Sequence, residues 1–197
     1  MTLRLVTPPA TTIISLAECK AHLRILFDDD DSYIESLIDV ALDHIDGADG
    51  WLNRAVVSQT WDYAIDKFPC VKYDGAPARV YLPFAPLISI DSVTYTDTQG
   101  ASATITDYRV KNVGGSQAGY IVPALNSDWP STANEPEAVV IRFTAGFTTV
   151  PPAIKHALLL MVGHWYENRE AATETKMSDL PMAVGALLNP YRFWAPA

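Results

Sequence analysis

Apolar residues recur at helical spacing near the start of the chain, alternate with polar residues through its middle, and return to helical spacing toward its end. Leu16, Cys19, Leu23 and Leu26 form the first, short stripe. Ser15 before it is a good N-cap, and Glu18 three residues on makes a capping box, each side chain satisfying the other's orphan amide. Ile14, just ahead of the cap, can pack back as a staple. The helix is expected to stop near Phe27. Asp28, Asp29, Asp30 and Asp31 then start a second helix, where carboxylates meet the positive end of the dipole and supply caps. Ile34, Leu37, Ile38, Ala41, Leu42 and Ile45 form one stripe of it, and Glu35, Asp39, Asp43 and Asp46 lie on or beside the opposite face. Gly47 and Gly50 end the pattern.

From Val56 the period changes to that of a strand. Residues 57–65 alternate, 79–82 make a short strand framed by prolines, and 88–95 alternate again. Residues 96–100 read as a hairpin turn leading into a strand over 103–110. A second turn at 112–115 and a brief strand at 120–122 follow, then a polar loop over 123–137. The β-branched run 138–144 fits a buried strand. Pro151 and Pro152 open a third helix, whose Ile154, Leu158, Met161, Val162 and Trp165 share a face and which fades near 168–172. Residues 182–188 suit a short helix stopped by Asn189-Pro190. The expected class is α+β: a helical body of two N-terminal helices and a C-terminal one, an antiparallel β-rich insertion (a small sheet or barrel), and an extended C-terminal tail. The matching divisions are residues 1–54, 55–146, 147–178 and 179–197.

Composition narrows what such a chain does. With 197 residues, 49% apolar and 19% charged, it can bury a sizeable core and is not a disordered polymer. The net charge of −9 is uneven: residues 1–54 hold ten acids against four bases. Tight nucleic-acid binding needs clustered Lys and Arg and is disfavoured, although an acidic wall that DNA slides past is compatible with this balance. Cys19 and Cys70 are too few for a disulfide framework, which fits reduced thiols in the cytosol. No export signal is evident at the N-terminus, and the most apolar run, 157–163, is far too short to span a membrane.

No catalytic or metal constellation stands out. His156, His164 and Glu167 share the third helix but lack the H-E-x-x-H spacing and a placed third ligand. The four aspartates lack the alternation and distal Glu of a calcium loop. Residues 112–116, Asn-Val-Gly-Gly-Ser, lack the Lys and helix of a phosphate cradle, and no G-x-S-x-G elbow accompanies the serines. The expectation is a protein without catalytic residues, metal or cofactor.

Residues 16–25, LAECKAHLRI, resemble the opening of the phage head–tail connector (adaptor or head-completion) proteins. The acidic spacer from Asp28 through Ile38, the Pro-Pro-Ala-Ile-Lys-His-Ala-Leu helix start and the terminal Leu187-Leu188-Asn189-Pro190-Tyr191-Arg192 phrase are similar to that family too, in the same order. The β-rich middle resembles the insertion of its longer members, including those of phage-like gene transfer agents. The resemblance implies a structural protein that forms a ring, of about twelve subunits, under a portal. The ring would extend the DNA channel and offer a surface to a tail-side connector or stopper. DNA would pass without specific binding, no membrane is involved, and the protein would be cytoplasmic during assembly and part of the particle afterwards.

Two groups of residues are candidates for that role. Asp28, Asp29, Asp30, Asp31, Glu35, Asp39, Asp43 and Asp46 are possible lumen-facing acids; twelve copies of the chain carry roughly −108, a field that repels phosphate. An ordinary solvated acidic face is the alternative. Leu187, Leu188, Asn189, Pro190, Tyr191, Arg192, Phe193 and Trp194 form the candidate portal-binding tail, rich in the aromatic and Arg residues that anchor interfaces. The alternative is that the tail folds back on its own domain. A different overall reading is a carbohydrate- or ligand-binding β module on a helical stalk, suggested by the aromatic strands around Trp61, Tyr63, Tyr81 and Phe84. An acidic hydrolase is a third, with no assembled residues behind it.

Overall fold

The computed structural model describes residues 1–70, 78–169 and 182–194. It divides into two compact units: Met1–Ala10, Ser58–Phe147 and Phe193–Ala197 in one, Thr11–Val57 and Thr148–Arg192 in the other.

The first unit is β-rich. Its strands are β1 (Thr2–Thr7), β2 (Gln59–Ile65), β3 (Val80–Tyr81), β4 (Leu87–Thr96), β5 (Ser102–Ile105), β6 (Tyr108–Lys111), β7 (Tyr120–Pro123) and β8 (Val139–Ala145). They make a five-stranded sheet of order β1-β2-β8-β4-β5 and a three-stranded sheet of order β3-β7-β6, every pairing antiparallel. Register places Trp61 opposite Phe143 and Tyr63 opposite Ile141, so the large residues of β2 and β8 share one face. Phe84 packs against both Trp61 and Phe143, with ring centroids 4.9 and 6.5 Å away. On the other face Arg142 donates two hydrogen bonds of 2.8 Å to the carboxylate of Asp62, and the hydroxyls of Thr60 and Thr144 meet at 3.1 Å. β8 is central, yet it is buried on one face only: Val139, Ile141, Phe143 and Ala145 point inward and Arg142 outward. The turn between β4 and β5 is the expected one. Asp97 Oδ1 accepts the amides of Gln99 and Ala101, and Gly100 takes φ of 83°, which a residue with a Cβ adopts only under strain.

The second unit is helical. It holds α1 (Leu16–Leu23), α2 (Asp31–Ile45), α3 (Pro152–Glu167), α4 (Met182–Leu188) and a 3-10 turn, Asn189–Tyr191. Ile34, Ile38, Ala41 and Ile45 of α2 and Ile154, Ala157, Leu158, Met161 and Val162 of α3 are buried, as their spacing predicts. Helices α1 and α3 meet near Gly163, where a Cβ would make ordinary contacts, 3.6 Å from the His22 ring and 3.7 Å from Leu23. The Ser15–Glu18 capping box forms as read, with the Glu18 amide 3.2 Å from the Ser15 hydroxyl and the Ser15 amide 3.0 Å from the Glu18 carboxylate.

Several expectations are corrected. The fold is α+β, but residues 1–10 belong with the sheets, because β1 pairs along β2. Helix α1 ends at Leu23, short of Phe27: Arg24 turns left-handed (φ 59°) and the Ile25 amide reaches back 3.0 Å to the Lys20 carbonyl, a Schellman-type stop. Residues 103–110 are two strands in different sheets rather than one. Helix α4 ends at Leu188, before Asn189-Pro190, as read, but a 3-10 turn over Asn189–Tyr191 follows it and the chain is extended only from Arg192. Residues 147–178 and 179–197 are not separate parts, since α4 packs on α3 and the helical unit runs to Arg192.

Candidate docking surfaces and channel-lining charges

The acids at the start of α2 divide into two kinds. Lys20 Nζ lies 2.6 Å from Asp28 Oδ1 and 2.6 Å from Asp31 Oδ1, so one ammonium ties both carboxylates back to α1. Hydrogen bonding to Lys20, then its charge, lowers the Asp28 pKa, and the two carboxylates raise that of Lys20. Asp30 occupies the N-cap of α2, but its side chain makes no cap bond. Its carboxylate instead accepts from the Tyr166 hydroxyl and, at 2.9 Å, from Arg169. These donors, Tyr166 foremost, lower its pKa, and the Arg169 guanidinium lies over the Tyr33 and Tyr166 rings at 4.7 and 4.8 Å. The expected aspartate caps are thus replaced by ion pairs that fasten α2 to α1 and α3. Asp46, at the C-cap, accepts the Val56 amide at 2.6 Å and shapes the turn after the helix.

Glu35, Asp39 and Asp43 are exposed at successive steps of four along α2, on one face, and Asp29 is exposed beside Asp28. Of the eight candidate acids, Asp28, Asp30, Asp31 and Asp46 therefore have structural partners, while Glu35, Asp39 and Asp43 form an open acidic stripe. Sequence spacing found the stripe. It did not find Tyr166 and Arg169, more than 130 positions from Asp30 in the chain.

The tail divides in the same way. Leu188 is buried, and Phe193 is 5% exposed in a cluster with Ala85 and Ala118 of the β unit. Arg192 stacks over the Trp51 indole at 4.9 Å. Leu187, Tyr191 and Arg192 are half-buried, Asn189 and Pro190 are exposed, and Trp194 is 73% exposed. Two of the eight candidate docking residues are thus core, and the outward-facing ones are Asn189, Pro190 and Trp194.

The other candidates resolve differently. Trp61 and Phe84, offered as part of a sugar-binding platform, are core. Tyr81 remains outside, tilted against Tyr120 at 5.2 Å. His156 meets His22 edge-on at 6.2 Å, while His164 lies beside Asn168. Among the described residues no group of three or more His, Cys, Asp and Glu side chains is placed to hold a metal, and no helix is long and apolar enough to cross a membrane. Burial raises the Cys19 thiol to about 11, so it is inert, and Cys70 is exposed.

Known structures share this fold. A chain in the neck of an empty gene transfer agent particle, computed with C6 symmetry, superposes with a TM-score of 0.74 at 23% identity; the match covers 100% of this chain and 98% of that one. Chains from a native gene transfer agent virion and from a native neck computed with C12 symmetry give TM-scores of 0.68 and 0.67, each at 22% identity and the same coverage. No curated protein sequence matches. The family of phage gp6-like head-tail connector proteins matches residues 13–121, from before the capping box into the start of β7. That span is more than half of the chain and contains the capping box, the acidic break and α2, so the chain belongs to the phage gp6-like head-tail connector family.

Proposed function

We propose that this connector is a structural adaptor that joins other copies in a ring, twelve by analogy with the C12 neck, beneath the portal of a phage-like particle. The carrying observation is the family match together with a full-length fold match to a neck protein. Its work is mechanical and electrostatic. The ring continues the DNA channel, and the stripe of Glu35, Asp39 and Asp43 presents negative charge toward it, so that phosphate is repelled and DNA passes without sticking. The outward residues of the tail, Asn189, Pro190 and Trp194, meet the portal, and the opposite end of the ring receives the next tail component. The subunit waits in the cytoplasm and is taken up when a portal is available. No bond-making chemistry is needed for any of these steps, and the acids with structural partners serve the fold.

The test is a triple reversal, Glu35→Lys, Asp39→Lys and Asp43→Lys. Asp46 is left intact because it holds the Val56 amide. Rings should still form on portal-bearing heads by negative-stain imaging, while DNA delivery falls. Normal delivery by a ring-forming variant returns the stripe to an ordinary solvated face, and failure of the wild-type chain to join a portal refutes the adaptor role.

A further inference from the structure

A closed ring is built by heterologous contacts, in which each subunit offers one surface to its left neighbour and a different one to its right. If the adaptor reading holds, two complementary surfaces are therefore required on one chain. The helical unit has a rigid apolar projection. After α1 stops, Ile25 turns inward and is buried, and Leu26 and Phe27 are left 97% and 51% exposed. The loop that carries them is held at both ends. The Ile25 amide binds the Lys20 carbonyl at 3.0 Å, the Asp31 amide binds the Asp28 carbonyl at 3.2 Å, and the Lys20 ammonium spans Asp28 and Asp31. Two large apolar side chains displayed on a braced loop lose little conformational freedom on binding, which favours an anchor. Asp29 is exposed beside them.

The β unit has a recess of about 390 Å³. Phe68 and Trp129, stacked at 4.6 Å and 7°, and the prolines Pro69, Pro123 and Pro130 give it an apolar lining. Trp129 is fixed by its indole N–H, which donates to the Ala78 carbonyl at 3.0 Å. The lining carries one cation and one anion, Lys67 and Asp128, and Lys67 is the exposed group whose sign complements Asp29. Leu125, 73% exposed and two residues beyond Pro123, adds apolar surface close by in the chain. We infer that the Leu26-Phe27 projection of one copy seats in the Phe68–Trp129 recess of the next, with Asp29 facing Lys67, and that this contact propagates the ring. It rests on the adaptor reading and names the contact that reading requires.

Cys70, exposed and lining the recess, supplies a direct test, since Cys19 is buried. In a Leu26→Cys chain, mild oxidation of particles carrying the ring should yield a ladder of disulfide-linked multimers, and Cys70→Ser should abolish it. Separately, a Leu26→Asp/Phe27→Asp chain should keep the wild-type circular dichroism and melting curve yet self-associate at least about tenfold more weakly by sedimentation velocity. A ladder that survives Cys70→Ser, no ladder where rings are visible, or undiminished ring formation by the double aspartate variant overturns the inference while leaving the adaptor role standing. Loss of portal binding with rings intact assigns the projection to the portal and overturns it as well. Particles without any ring of the wild-type chain refute the adaptor role itself.

Discussion

Replacing Phe193 and Trp194 one at a time separates what holds the tail from what the tail holds. Phe193 is 5% exposed against Ala85 and Ala118, and Trp194, next to it, is 73% exposed. A buried aromatic side chain removes about 150–250 Å² from water, or about 4–6 kcal/mol at 25 cal/mol per Å². A compact denatured chain already hides part of that area and reduces the figure by up to about 40%. Phe193→Ala should therefore cost about 3 kcal/mol, which lowers the melting temperature by roughly 6–12 °C in a chain of this size. Trp194→Ala removes a side chain that is mostly in water and should change stability by less than about 0.5 kcal/mol. Portal binding should show the reverse order. In a pull-down at a temperature where both variants are folded, the Trp194→Ala chain loses portal and the Phe193→Ala chain retains it. Thermal melts followed by circular dichroism read the first half and the pull-down the second. A Phe193→Ala chain that melts with the wild type would refute the burial argument. A Trp194→Ala chain that binds portal normally would remove Trp194 from the docking surface.

Two further predictions concern the helical unit. Glu18 closes the capping box and accepts from Lys155 Nζ at 2.5 Å; that bond, and then the Ser15 amide, lower its pKa from 4.5 to about 2. The folded value lies below the unfolded one, so the stabilisation is present above pH 4.5 and is lost as pH falls toward 2. The gap in urea midpoint between wild type and Glu18→Gln should accordingly narrow across that window, and a constant gap would contradict the linkage. A Cβ on Gly50 would lie 2.2 Å from the Asp46 carbonyl oxygen, which is backbone and cannot rotate away, so Gly50→Ala should destabilise by about 2–3 kcal/mol in equilibrium denaturation. An unchanged midpoint would mean that the turn after α2 relaxes freely.

The local devices were legible in the sequence because their signals are local. The Ser15–Glu18 box, the apolar stripes of α2 and α3, the Asp97–Gly100 turn and the double-proline start of α3 each lie within a few residues, and each is decided by hydrogen bonds or burial at that range. The order of these pieces also carried the family resemblance. The N-terminal strand escaped because β1 acquires its ladder from β2, more than fifty residues later, and an edge strand of six residues has little pattern of its own.

What the sequence by itself determined is therefore the helices, most strands, the acidic excess and the kinship with head–tail connectors, all encoded by spacing and composition. Only the tertiary structure decided which of those residues remain free to act. Asp28, Asp30, Asp31 and Asp46 are engaged by Lys20, Tyr166, Arg169 and the Val56 amide, whereas Glu35, Asp39 and Asp43 stay open. Leu188 and Phe193 became core while Trp194 stayed outside, and Leu26 left its helical stripe for solvent when Arg24 turned left-handed. The reason is that a side chain's availability depends on which distant residue packs or pairs with it. Spacing within one element fixes the face it occupies, but its partner is set by how the elements meet.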